Sequence, residues 1–139
     1  MNVDPLMLEK FEASLQRCTS DERFLHRFYQ LFLQANGDIE RRFAGVDLTR
    51  QASVLKASLY YMLRAASGFT EGMQHLRDIA KSHNRQGYDI QPGWYDVWLE
   101  ALLTAVSLTD PHHDETVRAA WTESLTPCIE AMRSAWHDS

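Results

Sequence analysis

The stretch Glu71–His83, EGMQHLRDIAKSH, decides how this chain is read. Met73, Leu76 and Ala80 recur at helical spacing and share one face, and His83 continues that apolar stripe inward. An imidazole on an apolar stripe is either a hydrogen-bonded core group or a ligand for something buried beside it. The stripe alone leaves both open. His26, His75, His112, His113 and His137 fall where helix surface, loop or tail is expected.

Downstream, Asn84–Gln91 is polar and contains Gly87, which predicts a loop. Pro92 suits the first residue of a helix that buries Tyr95, Trp98 (or Leu99), Leu102 and Val106. Asp110-Pro111 ends it. A last helix then places Val117, Trp121, Leu125, Ile129 and Met132 about one turn apart, with Pro127 inside as an expected bend. Upstream, Leu48, Ala52, Leu55, Leu59 and Met62 mark a helix from about Asp47 to Gly68. A short turn from Asp38 leads to Phe43. Before it, Ser20 reads as the N-cap of a helix through Phe24, Phe28, Leu31 and Phe32, stopping at a left-handed Asn36-Gly37 pair. Leu8, Phe11, Leu15 and Cys18 define the first helix. No segment alternates with period two over a useful length, so the class is all-α.

Composition bounds the function. With 139 residues, 45% of them apolar and 24% charged, one soluble domain over 1–139 is expected. The net charge of −5 leaves no basic block for nucleic acid or an anionic membrane surface. No run approaches the roughly 20 apolar residues of a membrane span. Met1-Asn2-Val3-Asp4-Pro5 lacks a leader pattern, so the cytoplasm is the expected location. Cys18 and Cys128 have no metal spacing and are expected as free thiols, and Cys128 has no evident base partner. The acidic and histidine-rich run Asp110–Glu115 is expected as an exposed loop without matching ligands elsewhere. A Gly-rich phosphate loop and a dinucleotide fingerprint are both missing.

The order Phe28-Tyr29, Phe43, Gln51 with Leu55, His83, Tyr95 and Trp121 resembles the landmarks of globins. The pattern is most similar to single-domain bacterial haemoglobins and the globin domain of flavohaemoglobins, and it spans essentially the whole chain. The resemblance implies a globin fold of about seven helices around a haem pocket. It implies haem b with His83 as the metal ligand. Phe43, Leu55, Tyr95 and Trp98 would contact the haem, and Tyr29 and Gln51 would form the ligand pocket. Taken singly, Phe43 reads equally as a core aromatic, Tyr29 as a core-edge tyrosine bonded to a carbonyl, and Gln51 as a solvated helix residue.

Together Tyr29 and Gln51 make chemical sense. A buried polar group without a partner costs on the order of 1–3 kcal/mol. A hydroxyl and an amide N–H facing an apolar pocket therefore suit a polarised ligand such as oxygen better than carbon monoxide. The resemblance implies reversible binding of oxygen, nitric oxide or carbon monoxide at a pentacoordinate iron, by a monomer or homodimer. A nitric-oxide dioxygenase would need a separate reductase, because no flavin or nicotinamide module is evident. A gas sensor signalling to a partner is the other alternative, weighed against by the lack of linker or heptads before Ser139.

The chain also departs from the family pattern. The spacing from Phe43 to Gln51 is shorter and that from His83 to Tyr95 longer, so Gln51, Ala52 or Ser53 could face the iron. Flavohaemoglobins carry a last-helix carboxylate that strengthens electron donation from the proximal histidine. That position falls on Trp136, so the strong push is expected to be absent.

Overall fold

Seven helices, and no strand, build residues 3–139 of the computed structural model. Met1 and Asn2, part of the stretch read above for a leader, lie outside the described residues. Helix α1 (Pro5–Thr19) starts where the Asp4 carboxylate accepts the Leu6 amide at 2.9 Å, and it buries Phe11, Leu15 and Cys18. Helix α2 (Arg23–Ala35) begins later than expected. Ser20 is not its N-cap: Ser20 has helical backbone angles and closes α1, its hydroxyl donating to the Gln16 carbonyl. With that hydroxyl spent on α1, it is the Asp21 carboxylate that accepts the first amide of α2, from Arg23, at 2.9 Å.

The Asn36-Gly37 pair also behaves differently from expectation. Asn36 is extended (φ −155°), and its side-chain oxygen accepts the amides of Asp38 and Ile39, so it opens helix α3 (Gly37–Arg42). Gly37 is helical. The left-handed helix stop belongs instead to Gly68 (φ +88°), after α4 (Leu48–Ala66). There the Gly68 and Phe69 amides return to the carbonyls of Ala65 and Arg64, satisfying the frayed end. Helix α5 (Thr70–His83) follows. Helix α6 (Trp94–Thr109) starts two residues past Pro92, which sits in the preceding turn with its carbonyl receiving the Tyr95 amide. Helix α7 (Glu115–His137) runs on through Pro127.

Helix α4 packs on α5, α2 on α6, and α7 on both α1 and α5. Phe11, Phe24, Phe28 and Trp121 are fully buried at the centre, with Phe11 edge-on to Trp121 at 4.9 Å. The stretch Pro111–Glu115 is largely exposed, as expected, but Asp110 at its start is only 4% exposed. The Trp121 Nε1 donates to Ser14 Oγ (2.8 Å), and that hydroxyl donates to Asp110 Oδ2 (2.6 Å). Arg17 donates to both Asp110 oxygens at 2.7 and 3.0 Å, and the His112 amide adds another bond. A carboxylate is buried here because charge and donors go in with it. Cys18 and Cys128 are free and buried; burial pushes their thiols up to about 12 and about 11. Among the described residues, no helix is long and apolar enough to cross a membrane.

Candidate functional site

Burial changes along α4. Leu59, Met62 and Ala65 are covered, whereas Leu48, Gln51, Ala52 and Leu55, earlier on the same side, are only half-buried. The end of α5 repeats this: Leu76 and Ala80 are covered, Ile79 and His83 half-open. So does the start of α6, where Trp94, Trp98 and Leu99 pack on the core yet stay partly exposed. Apolar side chains that a closed core would cover are thus left open at the ends of three helices.

His83 is the last residue of α5, and its Nδ1 lies 3.3 Å from the Tyr95 hydroxyl. Burial holds the imidazole below its usual range, so it is neutral near pH 7. A neutral ring protonated at Nδ1 and donating to Tyr95 keeps its Nε2 lone pair free. That donor set fits a haem iron. The following loop folds back tightly: the amides of Tyr88 and Ile90 donate to the carbonyls of Ser82 and His83. Gly87 is required there, since a Cβ would sit 2.2 Å from the Ser82 carbonyl oxygen.

Tyr29 is buried on α2, between Phe28 (4.9 Å) and Phe43 (6.2 Å), and its hydroxyl donates to the Gln51 backbone carbonyl at 3.3 Å. Burial pushes that hydroxyl up to about 12, so it stays protonated. The tyrosine-to-carbonyl arrangement is therefore present, and the same bond brings Gln51 against Tyr29. Gln51 and Ala52 are half-buried, whereas Ser53 is exposed and turns toward the Thr49 carbonyl. Phe43 caps α3 and packs 5.9 Å from Phe32; Leu55 lies one turn beyond Gln51; Trp98 stands edge-on to Phe28 at 6.1 Å.

Trp136 donates through Nε1 to Asp89 Oδ1 at 2.7 Å, and the Arg85 guanidinium stacks 4.0 Å above its ring. Asp89 and Arg133 tie the loop after His83 and the start of α6 to α7. Asp89 holds Trp136 from a left-handed conformation (φ +51°), and Arg133 donates to the Pro92 carbonyl at 3.3 Å. Neither has a local signal, because each acts on a segment about 40 or more residues away.

Among solved structures, the chain is similar to a protein of Pseudomonas aeruginosa PAO1 whose crystal structure is described as structurally highly homologous to a human haemoglobin. The two share 32% identity over 94% of this chain and 98% of the other, with a TM-score of 0.90. The chain belongs to the globin family. No family model and no curated protein matches it. The all-α class and the globin resemblance drawn from the ordered landmarks both hold for this globin. Its helices α4, α5 and α6 are the ones that present the half-open apolar side chains.

Proposed function

We propose that this globin holds haem b on His83 and reversibly binds a diatomic gas: oxygen, nitric oxide or carbon monoxide. The observation that carries the proposal is the neutral His83 at the end of α5, its Nδ1 engaged by Tyr95, beside apolar side chains left half-open. Haem iron supplies an open coordination position for such a gas. His83 gives the imidazole nitrogen, and Tyr95 fixes its tautomer and ring orientation. Phe43, Leu55 and Trp98 contribute apolar surface that excludes water. The Tyr29 hydroxyl rests on a long 3.3 Å bond, so little is lost when it turns to a polarised ligand, joined by the Gln51 amide. Residues 1–139 act as one domain in the cytoplasm, and a nitric-oxide dioxygenase reaction at the same site would need a separate reductase.

Titration of the purified protein with haemin tests this. A strong Soret band is expected, and it should be lost in His83→Ala. Failure of the native protein to take up haem overturns the reading. Oxygen release from Tyr29→Phe should be faster by roughly 5–30-fold, the value of one hydrogen bond of about 1–2 kcal/mol. An unchanged rate removes Tyr29 from the ligand pocket.

A further inference from the structure

Helices α5 and α7 pack together but leave a groove between them. Its floor is apolar: Met73, Leu76 and Ala80 come from α5, Ala131 and Ala135 from α7. Alanine at 80, 131 and 135 is too short to fill the space. Met73, Ala131 and Ala135 therefore stay half-open, and a volume of about 440 Å³ remains. The rim is charged. Arg77 and Lys81 line the groove one turn apart on the same face of α5, and both are exposed. Among the described residues, neither lies within ion-pair distance of a carboxylate. Arg77 donates to the neutral Gln74 amide oxygen at 2.8 Å, and the adjacent Asp78 accepts from the same amide's nitrogen at 3.1 Å. Two uncompensated cations thus flank an apolar groove in a chain whose net charge is −5. His83 does not line it.

We propose that the α5–α7 groove binds an alkyl carboxylate, with its chain on the apolar floor and its head between Arg77 and Lys81. The size favours a small ligand, since such sites are mostly apolar clefts of roughly 300–1,000 Å³ with a few placed polar groups. A partner helix would need a longer row of anchor pockets. The charge selects the head group. An anion placed at Arg77 and Lys81 gains charge-assisted hydrogen bonds, while the alkyl chain leaves water for the alanines and the adaptable Met73 thioether. A second copy of the chain fits less well. A two-fold interface sets a patch against itself and would bring the Arg77 and Lys81 pairs together with nothing to neutralise them. The inference is independent of haem on His83.

Titration calorimetry of the full chain with sodium dodecanoate, kept below its micelle-forming concentration, is the test. Saturable binding is expected in the native protein and should be lost in Ala131→Leu, which fills the groove. The double variant Arg77→Gln/Lys81→Gln should bind roughly 2–30-fold more weakly, the range for two exposed ion pairs. Dodecanol, which carries the same chain without the charge, should bind the native protein and the double variant equally. The double variant changes only exposed side chains and decides the matter if Ala131→Leu does not fold. No uptake of dodecanoate by the native chain overturns the inference. Affinity unchanged in Ala131→Leu places the ligand elsewhere and overturns it as well, and so does equal affinity of the native protein and the double variant. A native dimer that Ala131→Leu dissociates, without any uptake of dodecanoate, would make a second copy the occupant instead.

Discussion

Asp110 carries its charge inside the protein because four donors meet it there. Burial alone would push its carboxyl up, but Arg17, the Ser14 hydroxyl and the His112 amide outweigh that and hold it below the usual carboxylate range. A depressed folded value contributes stability that is present above the unfolded value of about 3.9 and is lost as pH falls through the folded one. Acid unfolding below about pH 4 should therefore be shallower in Asp110→Asn than in the native protein, as read by the pH dependence of urea midpoints. Asp110→Ala should cost about 2–3 kcal/mol at pH 7 in the same assay. The figure stays at the low end for a broken ion pair because the Arg17 side chain is 31% exposed and can rehydrate. Equal stability of native and variant would mean that the network only fills space. His83 and Tyr29 illustrate the other use of burial. Each is kept neutral by desolvation, in the form that can give a lone pair or a hydroxyl proton.

At the scale of elements, the crossing of α4 and α5 depends on one missing methyl group. A Cβ on Gly72 would lie 2.4 Å from the Ala65 nitrogen and 2.7 Å from Arg64 atoms, all but one of them backbone, so no flexible side chain can yield. Gly72→Ala must therefore push the two helices apart, and overpacking of this kind costs about 1–3 kcal/mol. Because α4 carries Gln51 and α5 carries His83, the variant should also release haem faster; transfer of haem to an apoprotein acceptor measures it. Asn36 is the second hinge of this kind. It ends α2 and caps α3 through Asp38 and Ile39, so Asn36→Ala should lower stability by about 0.5–2 kcal/mol.

For the whole molecule, the loop behind His83 is tied to the far end of the chain. Arg85 stacks on Trp136 and its amide donates to Ser139, while Asp89 holds the Trp136 indole. The end of α7 thus braces the segment that positions the proposed haem ligand. A group bound to the native state alone raises stability by mass action, about 2.7 kcal/mol when free ligand exceeds its Kd roughly a hundredfold. Thermal unfolding with increasing haemin should therefore show a Tm that climbs with haem concentration, and the climb should be absent in His83→Ala. A Tm indifferent to haemin in the native protein would argue that the half-open side chains serve another ligand.

The helical class, the placement of most helices and the ordered landmarks that mark a globin are written in the residue order. Those features are legible because helix periodicity is local: residues three and four apart share a face whatever they pack against. Helix edges are less legible, since Ser20, Asn36 and Pro92 each suit more than one place in a cap or turn; backbone angles separate the choices for Ser20 and Asn36, and the turn bonded to the Tyr95 amide does so for Pro92. Pairs far apart along the chain are set by the packing of the helices and by nothing local. Ser14 meets Asp110 across 96 residues and Trp121 across 107, Tyr29 finds the Gln51 carbonyl, Ser53 turns outward, and Arg133 reaches Pro92. No local spacing encodes such meetings. They follow from how seven helices cross, and the crossing angles depend on close approaches such as that at Gly72.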